Sequence, residues 1–359
     1  MPRLNLNPRL NSEVAAILNT YEDLRVVMPR FPTAGKRQKP KAVPSLRHIV
    51  GEFDALFLDG FGVLNIGDTL ISGAKELIAL AQARGVAVFV VTNAASQSVA
   101  KIGRRYLDKG LDIQPSQVIA SRQALTHWLI HQRPPAIRTI AIADQHATLL
   151  DLAEVEAITQ QHLTPSSDSQ SNYNYDAIAI LGTKGWDAGW DEVLRAALTN
   201  SDSTLKISPE ISPKILPETS PETSPEISSE ISPEILIANP DVAAPYAGGF
   251  SREPGAIAHT LRQTHPDTRI RWFGKPHKPH FDLALASLDA WLADNGKTAI
   301  GDKKRIAMVG DSLHTDILGG AAAGLTTVLV TDHGLFRDGG AEEAIAMTGI
   351  VPDYITPTI

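Results

Sequence analysis

The 359-residue chain contains no cysteine. That absence excludes disulfide bridges, zinc–thiolate centres, iron–sulfur clusters and thiol catalysis together. An excess of positive charge is also missing: 33 Lys and Arg against 40 Asp and Glu leave a net charge of −7, without the basic footprint that nucleic acid binding demands. No segment reaches the roughly 18 uninterrupted apolar residues needed to span a bilayer. The first forty residues lack the apolar core of a secretory signal. These absences predict a cytoplasmic protein with neither nucleic acid nor membrane as partner. Aromatics are sparse at 6%, while 43% hydrophobic and 20% charged residues are ordinary for a globular chain. At about 150 residues per domain the length predicts about two domains.

Proline is in excess, and the excess is local. Pro29, Pro32, Pro40 and Pro44 surround the basic run Lys36-Arg37-Gln38-Lys39, so residues 29–47 read as a flexible polar lead-in. Residues 1–50 are accordingly expected to form an N-terminal helix and a linker. From 201 to 235 the dipeptide Pro-Glu recurs at 209, 217, 221, 225 and 233 among Ser, Thr and Ile. Each proline removes a backbone donor and restricts its predecessor, and the isoleucines are too widely spaced to build a core. A low-complexity loop inside a domain is the expectation.

The rest alternates between apolar runs and helical periodicity. Ala55-Leu56-Phe57-Leu58 ends on Asp59-Gly60, and Val86 to Val91 ends on Thr92-Asn93. Arg305 to Val309 ends on Gly310-Asp311, and further strand candidates lie at 139–143, 177–181, 236–238, 269–273 and 327–330. Such runs suit strands buried on both faces of a parallel sheet. Between them, Ala74, Leu77, Ile78 and Ala81 keep helical spacing up to Gly85, and helices are expected over 191–198 and 281–292. The pattern specifies an α/β fold with a Rossmann-like parallel sheet, whose ligands bind beyond the carboxyl ends of the strands.

Those ends carry polar residues: Asp59, Thr92-Asn93 and Asp311, with Lys275 after a fourth strand. A carboxylate nucleophile, hydrogen-bond donors for phosphoryl oxygens, a lysine to offset charge and further carboxylates for Mg²⁺ are what phosphoryl transfer requires.

The same residues carry a resemblance. Leu58-Asp59-Gly60-Phe61-Gly62-Val63-Leu64, Val91-Thr92-Asn93, Gly274-Lys275-Pro276 and Gly310-Asp311-Ser312-Leu313-His314-Thr315-Asp316-Ile317 resemble, in order and spacing, the four motifs of the haloacid dehalogenase (HAD) superfamily. Ile237-Ala238-Asn239-Pro240-Asp241 and the segment from Ala322 to Val330 resemble its subclass IIA, a NagD-like phosphatase group. The resemblance implies a HAD core over 51–132 and 263–359 and an inserted α/β cap over 133–262, with the Pro-Glu repeat as an extra cap loop. It implies that Asp59 attacks phosphorus, that Thr92 and Asn93 bind phosphoryl oxygens, and that Lys275 bridges phosphate and nucleophile. Mg²⁺ would be held by Asp59, the backbone carbonyl of Phe61, Asp311 and Asp316, while Asn239 and Asp241 would face the substrate from the cap. The implied partner is a small phosphorylated metabolite such as a sugar phosphate, and self-association through the cap is a further expectation.

One position departs from the phosphatase pattern. Phe61 stands where those enzymes carry a second Asp that protonates the leaving group. Losing a general acid forfeits a factor of about 10²–10⁴, or roughly 3–5 kcal/mol of barrier. Three readings compete: a surrogate acid among His277, Lys278, His280 or His314; a leaving group that needs no proton; or a degenerate site that only binds phosphorylated ligands. On sequence grounds the histidines read as solvated surface residues.

Overall fold

The apolar runs assemble into two parallel sheets in the computed structural model, which describes residues 10–32, 39–137, 140–143, 155–158, 175–199, 233–246 and 248–359. Residues 201–232 of the Pro-Glu repeat, and Lys36 to Gln38 of the basic run, lie outside the described residues.

The larger sheet has seven strands in the order Lys41–Ala42, Tyr354–Thr356, Thr326–Val330, Ile306–Gly310, Ala55–Leu58, Ala87–Thr92, Val118–Ala120. All its pairings are parallel. Alternate side chains point to opposite faces. Leu56, Leu58, Val88, Val90 and Val309 meet Leu77, Ile78 and Ala81 of helix Ala74–Ala83, with Ile102 and Tyr106 of Val99–Asp108. Phe57, Phe89, Val91 and Met308 face the other way, onto Phe281, Ala284, Leu288 and Leu292 of helix Lys278–Asp294. Coverage of both faces explains why these strands read as unbroken apolar runs.

The smaller sheet is also parallel, in the order Ile270–Trp272, Glu234–Ile237, Ala177–Ile180, Ile140–Ala143, Val155–Ile158. Ile178, Ile180, Ile235 and Ile237 pack against Trp190 and Leu194 of helix Ala188–Thr199 and Ile257 and Leu261 of Pro254–Thr264. Its other face, with Ala177, Ala179 and Leu236, rests on Leu125, Trp128 and Leu129 of helix Ser121–His131. In sequence the whole unit is inserted between two strands of the larger sheet.

Two expectations need correction. The inserted sheet runs past residue 262, because helix Pro254–Thr264 is a crossover that returns the chain to the sheet edge, where Ile270–Trp272 pairs with Ile235–Ile237. The lead-in is not all linker either. Lys41–Ala42 is an edge strand of the larger sheet, with Lys41 N–H donating to Asp353 O and Val43 N–H to Ile355 O, and Leu46 is fully buried. Pro40 and Pro44 flank an edge strand, where a missing donor leaves no ladder bond unmade.

Helix Ser12–Asp23 begins on Asn11, whose Oδ1 accepts the Val14 N–H at 2.8 Å. Its buried stripe of Val14, Ile17, Leu18 and Tyr21 packs on Leu313, Ile317 and Leu318, immediately after Asp311. No helix among the described residues is long and apolar enough to cross a membrane.

Candidate active site

Because the central strands are parallel, their carboxyl ends deliver Asp59, Thr92 and Asp311 to one sheet edge. Lys275 follows the edge strand of the smaller sheet and arrives from the other side. Its Nζ lies 2.8 Å from Asp59 Oδ1 and 2.7 Å from Asp316 Oδ1. Lys275 and Asp316 are buried, whereas the Asp59 side chain keeps 14% exposure, as an attacking group needs. Backbone amides orient the rest: Gly60 N–H donates to Asp59 Oδ1 at 2.7 Å, Leu335 N–H to Asp311 Oδ2 at 2.8 Å, and Ser312 N–H to Asp316 Oδ2 at 3.1 Å. Asp316, which a helix surface could equally have carried, is thus internal.

Backbone close to the carboxylates leaves little room for side chains. A Cβ at Gly62, where φ is +78°, would lie 2.5 Å from Asp311 Cγ. A Cβ at Gly274 would lie 2.4 Å from Asn93 Oδ1. Glycine is required at the first by conformation and at both by contact.

Carboxyl oxygens of Asp59, Asp311 and Asp316 lie within 4.8 Å of one another. Burial, reinforced by Asp316 and Asp241 and opposed by Lys275, pushes the Asp59 carboxyl up to about 7. Asp241 is pushed up to about 7 by burial in the same way, and burial with Asp316 and Asp59 drives Asp311 well above the carboxylate range. Burial would depress the Lys275 ammonium, but Asp316, Asp59 and Asp241 hold it above its usual value. One ammonium is therefore too little positive charge for these carboxylates. An all-oxygen, charge-deficient cluster of this kind fits a hard divalent cation.

The cluster opens into a cleft of about 550 Å³ between the two sheets, lined by Asp59, Phe61, Thr92 and Asp311 on one side and by Asn239 and Asp241 on the other. The Asp241 N–H donates to Asn239 Oδ1 at 2.9 Å, closing a tight turn, and Asn239 Nδ2 donates to Glu253 Oε2 at 3.1 Å. Thr92 lines the cleft with its hydroxyl, which accepts the Ala94 N–H at 3.2 Å.

The Asn93 side chain is engaged within the protein. Its amide donates to Asp241 Oδ1 at 2.8 Å and to Lys275 O at 3.1 Å, while its Oδ1 accepts the Lys275 N–H at 2.7 Å. With both amide protons used, the side chain has none for a phosphoryl oxygen; it aligns Lys275 and ties the inserted unit to the core.

The histidines also differ from expectation. His280 is fully buried with both ring nitrogens unpartnered, and burial pushes it down to about 3. His277 stacks on Trp272 at 5.6 Å and is pushed down to about 4 by burial. His314 is buried, with Nε2 2.6 Å from Glu22 Oε1. His314 is covered by Tyr21 and Glu22 of the N-terminal helix, partners from a distant segment that sequence could not show. No histidine is among the described residues lining the cleft.

Sequence reasoning missed Tyr21, which reaches the cleft from the N-terminal helix, and Glu253, which lines it beside Asn239. Tyr21 carries no local signal, being one position in an apolar stripe.

The cluster of carboxylates and lysine on a doubly wound core is that of the haloacid dehalogenase-like hydrolases, and the chain belongs to that family. A haloacid dehalogenase-like hydrolase family model matches residues 56–156 and a HAD-hydrolase-like model matches 272–358. Within the family it falls in subclass IIA with the NagD-like phosphatases. Among curated relatives, glycerol-3-phosphate phosphatase of Gallus gallus is 24% identical over 333 residues, covering 91% of this chain and 96% of the relative. Acid sugar phosphatase of Staphylococcus aureus (strain MRSA252) is 22% identical over 282 residues, covering 78% and 86%. A possible sugar phosphatase from Cytophaga hutchinsonii shares the fold with a TM-score of 0.66 and 23% identity, over 89% of this chain and 98% of that one. NagD from Escherichia coli K-12 does so at 0.53 and 19%, over 85% and 96%.

Proposed function

We propose that this chain hydrolyses small phosphomonoesters, of the sugar phosphate or glycerol phosphate kind named for its relatives, through an aspartyl-phosphate on Asp59. The observation that carries the reading is Lys275 Nζ held between Asp59 and Asp316, at 2.8 and 2.7 Å, where three parallel strands end. In this reading an Asp59 carboxylate oxygen forms a bond to phosphorus while the ester P–O bond breaks, and the leaving oxygen keeps the electron pair. Water then cleaves the acyl phosphate, returning the carboxylate and releasing phosphate. Lys275 and the Thr92 hydroxyl offset and orient the phosphoryl oxygens.

Asp59, Asp311, Asp316 and the Phe61 carbonyl would hold Mg²⁺, which supplies charge neutralisation when bound. The inserted unit, over 133–262 and its continuation to Trp272, would shape the leaving-group side of the cleft through Asn239 and Asp241. Incubation with Mg²⁺ and a panel of phosphomonoesters tests the proposal. Phosphate release that is abolished by EDTA and restored by Mg²⁺ supports it; no release from any ester contradicts it.

A second reading is favoured by Phe61, which lines the cleft in the acid's place: a degenerate site that binds phosphorylated metabolites without turning them over. Retained binding of phosphate with Mg²⁺, in the absence of hydrolysis, would select it.

A further inference from the structure

The N-terminal helix lies outside both segments matched by the family models, yet it enters the cleft. Tyr21 is 2% exposed and lines the cavity beside Asp241, Asp311 and Ser312. Its hydroxyl oxygen accepts the Val242 N–H at 3.1 Å, fixing the loop that carries Asn239 and Asp241. Its ring stacks on His314 at 4.8 Å with an interplanar angle of 4°, on the turn between Asp311 and Asp316. Glu22 meets the same histidine at 2.6 Å, and Asp23 Oδ2 lies 2.9 Å from His259 Nε2 on helix Pro254–Thr264 of the inserted unit. Three consecutive residues of one helix therefore contact both halves of the site.

From Tyr21 a chain of hydrogen bonds runs to the nucleophile. Val242 follows Asp241, Asp241 Oδ1 accepts from Asn93, Asn93 Oδ1 accepts the Lys275 N–H, and Lys275 Nζ reaches Asp59. Displacing Val242 would release Asp241 from Asn93 and loosen the backbone that aims Lys275.

We infer that Tyr21 is a positioning residue for phosphomonoester hydrolysis, holding the 239–243 loop closed over the cleft and, through Asp241 and Asn93, setting the direction of Lys275. The inference rests on the phosphatase reading for its kinetic consequence, but not for its structural one. The leaving-group side of the cleft is thus set in part by a segment that precedes the core, and the stack on His314 links the two.

Tyr21→Phe removes only the hydroxyl, and with it the acceptor of the Val242 N–H, and leaves the apolar stripe and the ring stack. Full-length wild type and variant are compared by amide hydrogen exchange of residues 241–244 and by hydrolysis of p-nitrophenyl phosphate with Mg²⁺. The expected result is about tenfold faster exchange confined to this loop, and a KM raised about fivefold with the melting temperature lowered by no more than a few degrees, since the Val242 N–H loses its acceptor. A merely structural role would lower the melting temperature and the active fraction while leaving KM unchanged, and that outcome overturns the inference, as does unchanged exchange. If wild type hydrolyses no ester, the phosphatase reading fails instead. Orthophosphate binding with Mg²⁺, expected to weaken about fivefold in the variant, then decides the inference, and unweakened binding overturns it.

Discussion

Asp59, Thr92, Lys275 and Asp311 were each legible as residues because they end or follow apolar runs, and a polar residue at the end of a buried parallel strand has few structural reasons to be there; Asp316 was reached only through the family resemblance. Asn93 shows the limit. Sequence places it at the site but not the direction of its amide, which is set by Asp241, a partner 148 positions away. Phe61 is the residue whose chemistry matters most. No histidine is among the described residues lining the cleft; unless Asp241, which lines it and is raised to about 7 by burial, supplies the proton, the bridging oxygen leaves with little protonation and the rate falls steeply as leaving-group pKa rises. Phe61→Asp should therefore raise turnover of an alkyl phosphomonoester more than that of p-nitrophenyl phosphate, by up to about 10²-fold if the carboxyl reaches the bridging oxygen. Equal effects on the two esters, or wild-type rates insensitive to leaving-group pKa, would contradict this and indicate a surrogate acid.

Strands and helices were read more reliably than their covering partners. Ala55–Leu58 and Ala87–Thr92 match their apolar runs, whereas helix Lys278–Asp294 starts before the expected 281 and brings His280 inside. This has a pH consequence with a definite sign. His280 has a folded-state pKa of about 3, below the roughly 6.5 of an unfolded histidine, so it contributes stability that is complete above pH 6.5 and is lost as pH falls towards 3. The loss should approach 1.4 kcal/mol per pH unit, roughly, within that window. Urea midpoints measured from pH 7 to 4.5 should fall less steeply in His280→Leu than in wild type; parallel curves would show that His280 takes up its proton without cost. The segment from Gly310 to Ile317 makes a different prediction. Since burial holds the Asp59 carboxyl near 7 and drives Asp311 well above its ordinary value, Mg²⁺ must displace protons, and its stabilisation of wild type should be larger at pH 8 than at pH 5.5. Asp311→Ala should remove that stabilisation and the calorimetric Mg²⁺ signal; unchanged affinity would exclude Asp311 as a ligand.

At the scale of the molecule, the α/β class was visible in the sequence pattern, whereas the insertion of a second α/β unit followed only from the family resemblance. The closure of the cleft by a helix that precedes the core was not visible, since nothing local marks Tyr21 as different from Leu18. Residues 201–232 of the Pro-Glu repeat fall between helix Ala188–Thr199 and strand Glu234–Ile237, and the end of the repeat is not loop: Glu234 and Ile235 pair with Ala177 and Ile178. Deleting residues 201–232 should leave phosphatase turnover within about twofold and the melting temperature within a few degrees, because loop-closure entropy changes only slowly with length. A change in partners or in self-association on deletion would give the repeat a role of its own.

The central claim, that Asp59 attacks phosphorus, is tested most directly by phosphate release from p-nitrophenyl phosphate in the presence of Mg²⁺, comparing wild type with Asp59→Asn. An amide is nearly isosteric with the carboxyl but cannot form the acyl phosphate. The account predicts steady release by wild type and none above background by a variant with an unchanged melting profile. Turnover retained in Asp59→Asn would contradict it.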